Sequence, residues 1–595
     1  MNRIKRKNNF EKLNFELNPE IVDLRFKIIS DLPRVNNNIK TNINLIQFKT
    51  ILNFNKTRPF QVIDTDKNTV SAIISNELHD KLVHQSLSDN TTYEEIHENP
   101  KLTVFNTVNN KLNDLFNSKN ISKQIYKALL PDVNNKIGKF RILAKLHKKD
   151  FAIRPIINCK NHFTEKISIF IDHLLKPIIE NSESYLKDSQ NLLQTVNNLN
   201  LSDKLELYSF DFSTHYTNIK LDDALYYTMF SLVNKIDSIY VTPYGLYELL
   251  KLVLYNNVFS YLNRFFKQIK GLAMGSNLGP SIANTVVYNL EIKWLKVHKP
   301  LIYKRFIDDI FIGSKNSIDI NEFTNTFDYL KLNICNDKTV QFLDLEISLD
   351  KLYNKLNLSL YIKKTNTFSY LNINSNHPKH IFKNIPKSLF IRVRRICTTF
   401  TDYLYYCRLI YLHLIKCGYD ANLLDKLINI VGRIDRKELI DYKVNNTIKP
   451  KDNNKKLFLF KLQYTNQFDL KSLLLNSFKE VLKDDKFSEI KLYQFYTVNN
   501  NIRDLLIHRK KFCNYKYNNT SKCLNISCKT CTFINTIDKI EFNNGIVLPL
   551  ISSSNCNAKD CIYILYCEIC DSYYVGQSKD FKRRFPNHLS TIKNY

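Results

Sequence analysis

With 595 residues, 44% of them hydrophobic and 34 Tyr and 38 Phe among them, this chain has material for several packed cores, which excludes a disordered tail. Its 86 Lys and Arg against 57 Asp and Glu leave a net charge of +29, which favours a polyanionic partner and predicts salt-dependent binding, with codon bias toward Lys, Asn and Ile as the alternative for any single basic run. No run of about 20 apolar residues occurs, and the basic start at Met1 leads into no apolar segment, so membrane spanning and secretion are not expected.

Residues 1–125 carry helical patterns broken by Asn-rich turns, with no catalytic constellation. Within them Thr91-Thr92-Tyr93-Glu94-Glu95-Ile96, followed by Asn99-Pro100, reads on its own as a capped helix. Next, Lys145-Leu146-His147-Lys148 and Ile153-Arg154-Pro155-Ile156-Ile157 form a basic hairpin pattern. There Arg154 can give bidentate bonds to a phosphate and Lys148 a movable point charge; the alternative is a solvated basic hairpin.

From Leu205 to Ser213 a β-favouring run is interrupted by Asp211 and closed by the turn-forming Ser213-Thr214-His215. Tyr216 follows, then Asp222-Asp223, which suit a helix start. Gly271, Gly275 and Gly279 are three of only 10 glycines and predict a backbone that approaches something closely before a helix begins. No Gly-Lys-Ser/Thr follows them, so a phosphate-loop nucleotidase is excluded.

Tyr303-Lys304-Arg305-Phe306-Ile307-Asp308-Asp309-Ile310-Phe311-Ile312 reads as strand, tight turn, strand, with two adjacent carboxylates at the turn. Such carboxylates repel each other unless a cation lies between them, so the turn is either a divalent-metal site or a solvated hairpin tip. Together with Asp211 from another strand they make the set that two-metal phosphoryl transfer requires, with Mg2+ or Mn2+ as the ion.

Farther on, Gln341-Phe342-Leu343-Asp344-Leu345-Glu346-Ile347 alternates like a half-buried strand. Ile385-Pro386-Lys387-Ser388-Leu389 leads into a helix with Arg392, Arg394 and Arg395, either a wet face or a set of phosphate contacts. Helical segments continue to about residue 500 with a polar break from Val444 to Lys456. Eight of the 13 cysteines then crowd between Cys513 and Cys570, which suggests metal in a reducing compartment. Cys513, Cys523, Cys528 and Cys531 read as a Zn2+ knuckle, with free structural thiols as the alternative.

Asp211 followed by Phe306-Ile307-Asp308-Asp309 resembles the palm of a reverse transcriptase. The Met274-Gly275-Ser276 box, Phe342-Leu343-Asp344 and the Thr91–Ile96 phrase are similar to Penelope-like retroelement polymerases. Cys561-Ile562-Tyr563, Tyr573-Tyr574-Val575-Gly576, Arg584 and His588 resemble a GIY-YIG endonuclease, with Cys561 departing from the usual Gly; the Cys567/Cys570 pair is a Penelope-like feature and a further Zn2+ candidate. The resemblance implies an α+β right-hand polymerase: fingers at 126–205, palm at 206–350, thumb and connector at 351–500, a Cys-rich linker at 501–555 and a partial nuclease at 556–595.

It further implies that Lys148 and Arg154 contact the incoming triphosphate. Tyr216 excludes a 2′-hydroxyl, with a core tyrosine as the alternative, and Met274 and Gly275 face the template and nascent pair. Asp211, Asp308 and Asp309 hold the metal, while Tyr563, Tyr574, Arg584 and His588 serve the nuclease. Partners would be an RNA template, a DNA primer or target and dNTPs, in the nucleus or reaching it from the cytoplasm. Such nucleases hold their metal with a downstream glutamate; the seven residues after His588 include no acid, so duplex binding without nicking is expected of this chain. Alternatives are a nucleic-acid-binding relic and a telomerase-like or intron-type reverse transcriptase.

Overall fold

The computed structural model describes residues 44 to 593 except for internal stretches that include 147–150, 201–204, 442–455, 482–489, 508–519, 524–527 and 568–571. These residues form two compact units, one made of 60–187, 210–334 and 507–595, the other of the residues up to 59 with 188–209 and 335–506.

In the first unit a five-stranded sheet runs β3-β8-β7-β4-β5, with β3 Tyr93–Ile96, β4 Gly138–Lys145, β5 Ala152–Asn158, β7 Val258–Tyr261 and β8 Arg264–Gln268. Aromatic residues on alternate positions build its core: Phe140 stacks on Phe259 at 5.6 Å, Phe259 on Phe266 at 5.7 Å, and Tyr93 meets Phe259 edge-on at 5.5 Å. The Thr91–Ile96 phrase is therefore an edge strand, not a capped helix; Tyr93 pairs Gln268 in β8 and buries its ring in this sheet. A hairpin of β1 (Phe60–Asp64) and β2 (Ser71–Ser75) lies upstream, and Asp66 N–H donates to the carbonyl of Ala144 in β4 at 2.9 Å. The segment read as helical thus supplies three strands.

A second sheet runs β11-β6-β10-β9, with β6 Glu206–Phe212, β9 Ile302–Phe306, β10 Asp309–Ser314 and β11 Leu332–Cys335. Ile310, Phe311 and Ile312 are fully buried, which is why β10 is an unbroken apolar run: both faces of this central strand are covered. Burying three such side chains contributes roughly 1.5–3 kcal/mol each and fixes the strand that carries Asp309. Two helices pack on one another beside it, α1 (Glu165–Glu180) and α2 (Gly279–His298).

The other unit contains the sheet β12-β13-β14 (Thr339–Phe342, Leu345–Asp350, Lys355–Leu360) and the helices α3 (Lys379–Ile396), α4 (Phe400–Lys416) and α5 (Ala421–Gly432). The alternating run around Phe342 is not one strand but a hairpin turning at Leu343-Asp344, where Leu343 has φ 56°. Beyond the helices, Lys456–Gln463 and Ile490–Thr497 pair as parallel strands inside a stretch read as helical. Among the described residues no helix is long and apolar enough to cross a membrane.

Candidate active site

The metal-binding candidates come together at one end of the β6/β10 pair. In the hairpin Phe306 pairs with Asp309, so Ile307 and Asp308 form a two-residue turn and Asp309 opens β10. The N–H of Phe212 donates to the carbonyl of Asp308 at 3.1 Å, which sets Asp211 beside that turn, and Ser213 N–H donates to Lys331 on the other side at 2.9 Å. Thr214 and Ile307 take left-handed backbone, φ 53° and 59°. For β-branched residues this conformation is strained by about 1–3 kcal/mol, and such strain persists where surrounding structure enforces it. Asp211 is exposed, and Asp308 and Asp309 are partly so. Their charge and position suit Mg2+ or Mn2+, although, among the described residues, these three carboxylates are not drawn together into a ready three-ligand group. Like charges splay when no cation draws them in.

The glycine-rich loop is knitted onto this turn. Gly271 has φ 75°, and a Cβ there would lie 2.6 Å from the Thr217 carbonyl oxygen. Gly275 has φ 123° with the Ile157 carbonyl pressed against its Cα, leaving no room for any side chain. The neighbouring amides close the fit: Leu272 N–H donates to Tyr216 at 2.8 Å, and Ile157 N–H to Met274 at 2.9 Å. The Tyr216 ring stands over Gly279 at the start of α2. Burial first and the Asp308 carboxylate second push the Tyr216 phenol up to about 12, while Arg154 acts the other way. Arg154, Tyr216 and Asp308 therefore share one local field.

Arg154 has a partner that sequence reasoning missed, the largely buried Asp66, 3.0 Å away. The signal, an Asp-Thr-Asp at the end of β1, lies in a region where no constellation was expected. Lys148 lies outside the described residues. In the other unit Arg392, Arg394 and Arg395 are not an open phosphate-binding face. Arg392 grips Asp344 through Nε and Nη2 at 2.9 and 2.7 Å, Arg394 Nε donates to the Ile434 carbonyl at 3.2 Å, and Arg395 Nη1 to Gln190 Oε1 at 3.2 Å.

The cysteine cluster has a member that the sequence pattern did not include. Cys523, Cys528 and Cys531 are joined by Cys556, with all four sulfurs within 4.8 Å of one another. Cys513, expected as the fourth member, lies outside the described residues. A bridge between Thr520 and Ser554 returns the chain to the knuckle and delivers Cys556, which is fully buried. Four sulfurs and no other donor fit a tetrahedral Zn2+ site. Cys567 is exposed at the end of its strand, and Cys570 lies outside the described residues.

In the last segment the strands β15 (Lys559–Cys567) and β16 (Ser572–Asp580) pair antiparallel ahead of the helix α6 (Phe581–Lys593). Tyr563 pairs with Gly576, and a Cβ on that glycine would lie 2.6 Å from the Tyr563 hydroxyl. Tyr563 OH and His588 Nε2 are 2.6 Å apart, and hydrogen bonding to Tyr563 first raises the Arg584 guanidinium, with Tyr574 contributing. All four residues of this cluster are thus brought together.

Residues 146–375 match the family described as "Reverse transcriptase (RNA-dependent DNA polymerase)", a span that contains Asp211, Asp308 and Asp309. Residues 559–595 match "GIY-YIG catalytic domain", and 369–429, which contain α3, α4 and most of α5, match "Animal helix-turn-helix domain", an assignment sequence reasoning missed. The chain therefore contains a reverse transcriptase domain within a mixed α+β fold, and that domain supports RNA-directed DNA polymerase activity. More particularly, a GIY-YIG segment follows that domain in the same chain. No curated protein matches the chain. Solved structures similar to it include telomerase from Candida albicans in complex with a TWJ fragment of telomeric RNA, at 10% identity and TM-score 0.40 over 65% of this chain and 72% of that one. Apo telomerase from Candida tropicalis is similar at 12% identity and TM-score 0.38 over 69% and 74%, and the Sicinivirus 3Dpol RNA-dependent RNA polymerase at 10% and 0.34 over 59% and 89%.

Proposed function

We propose that this protein is the reverse transcriptase of a Penelope-like retroelement, copying RNA into DNA by two-metal nucleotidyl transfer in the nucleus. The observation that carries the reading is the β6–turn hydrogen bond that sets Asp211 beside Asp308 and Asp309, next to a glycine-rich loop and Tyr216. Asp211, Asp308 and Asp309 would hold Mg2+, which, when bound, supplies charge for the attacking 3′-hydroxyl and the leaving pyrophosphate. Arg154 orients the triphosphate as a bidentate donor, and exchange of its partner from Asp66 to phosphate is part of that binding. The Tyr216 ring closes the floor under the sugar, so a 2′-hydroxyl is excluded by shape.

The four-sulfur cluster would hold Zn2+ as a structural ion joining residues 523–531 to Cys556. In the GIY-YIG segment the Tyr563–His588 pair and Arg584 bind a phosphodiester of the DNA target. Incorporation of dTTP on a poly(rA) template with an oligo(dT) primer tests the reading. Metal-dependent extension is expected; absence of extension on RNA by folded protein that binds the duplex would overturn it in favour of a binding relic.

A further inference from the structure

The largest fully buried side chain in the described structure is a charged one, Arg305, three residues before Asp308. All five of its N–H donors are used. Nε and Nη2 reach the two oxygens of Glu291 at 2.9 and 3.1 Å; Nη1 reaches Asn284 Oδ1 at 2.6 Å and the Ile307 carbonyl at 3.2 Å, and Nη2 also reaches the Asn284 carbonyl at 3.3 Å. Glu291 in turn accepts from Ser184 Oγ and from Tyr303 OH, the latter at 2.8 Å. The backbone of Arg305 is held as well, its N–H donating to Ser184 at 2.7 Å and its carbonyl accepting from Leu186 at 3.0 Å.

Two features separate this network from an ordinary buried ion pair. A buried pair is costly to desolvate, and apolar residues of similar volume usually give equal or greater stability, so stability alone does not account for it. Its free end also falls on one atom of mechanistic weight: the carbonyl of Ile307, whose strained φ of 59° turns the chain so that Asp308 meets Phe212. Its other end, Asn284, is on α2, the helix that the glycine-rich loop enters.

We propose that Arg305 is a positioning residue for catalysis: with Glu291 as its anchor it clamps the aspartate turn to α2, and so fixes the metal-binding carboxylates relative to the glycine-rich loop. This rests on the reading of Asp211, Asp308 and Asp309 as the metal ligands. Only a planar five-donor head can satisfy the anchor, the helix and the turn together; a lysine, with three donors on one atom, cannot span them.

The test is Mn2+ binding to the full chain without nucleic acid, read from the electron paramagnetic resonance of free Mn2+, alongside a thermal melt. The paired variant Arg305→Met with Glu291→Gln removes the network without leaving a buried charge, and Asp308→Ala is the reference. Folded paired variant with Mn2+ affinity lowered about tenfold or more supports the clamp, since supporting shells of metal ligands carry effects of that size. A folded variant that binds Mn2+ like the parent, while Asp308→Ala does not, overturns it and leaves the metal site standing. Unchanged Mn2+ binding in Asp308→Ala overturns the metal reading, and the clamp with it. If the paired variant does not fold, Asn284→Ala, which keeps the ion pair, decides: weakened Mn2+ binding supports the clamp and parental binding overturns it.

Discussion

The backbone N–H of Phe212 donates to the carbonyl of Asp308 at 3.1 Å, so the residue that follows one candidate metal-binding aspartate is bonded to another. Carboxylates far apart in sequence are thereby placed by main chain, which does not depend on either acid being charged or on a cation being present. Phe212 holds its own position by burial, stacking on His215 with ring centres 4.9 Å apart and meeting Phe327 edge-on at 5.2 Å. Phe212→Ala should therefore cost about 3–5 kcal/mol. Chemical denaturation should show that loss, and the variant should lose extension activity even at temperatures where it remains folded.

Sugar selection should follow Tyr216. Its ring is partly buried against Gly279, and its backbone is fixed by Leu272, so truncation opens space without moving the loop. Tyr216→Ala should accept ribonucleotides, narrowing discrimination by up to about 10²-fold with little change for dNTPs. Competition between ATP and dATP in single-nucleotide extension reads this, and unchanged discrimination would make Tyr216 a packing residue.

Stability should fall between pH 6.5 and 4. Burial holds His162 at about 4 and His215 at about 3, well below the ordinary 6.5, and Arg305 adds to the shift at His215. Both histidines are neutral in the folded chain across this window, whereas the unfolded chain takes up protons below pH 6.5. The unfolded state then binds more protons, so stability is full above 6.5 and declines on acidification by up to ~1.4 kcal/mol per pH unit for each residue. Urea midpoints of the parent and of His215→Phe at pH 7, 6 and 5 check this; the variant should show about half the slope from this pair.

Zinc should depend on Cys556 rather than Cys513. Cys528 and Cys556 sulfurs are 3.7 Å apart, and Cys523 N–H donates to Cys531 Sγ at 3.1 Å, an arrangement that four thiolates around one ion would tighten. Metal analysis of the full chain should give about one equivalent of zinc, lost in Cys556→Ser and kept in Cys513→Ser. Retention of zinc in the first and loss in the second would restore the sequence-based choice.

The contrast between these cysteines shows what was legible. Asp308 and Asp309, the glycine-rich loop and the Tyr563–His588 segment are carried by contiguous motifs whose strand and turn pattern is local, and the structure realises that pattern. Cys556 was not legible because it is delivered by a bridge between Thr520 and Ser554. Asp66 was hidden for the same reason, since only the packing of β1 on β4 brings it to Arg154. Arg392 looked free on its helix because the turn at Leu343-Asp344, which supplies its carboxylate, reads in sequence as continuous strand. Period-two alternation does not mark a two-residue turn when both flanking strands keep the same faces buried.

The most direct measurement is primer extension on an RNA template with Mg2+, comparing the parent with Asp308→Ala at matched template affinity. If Asp211, Asp308 and Asp309 are the palm carboxylates, the variant binds template-primer as the parent does and extends it orders of magnitude more slowly, a loss confined to the chemical step. Extension by Asp308→Ala at the parental rate would contradict the account.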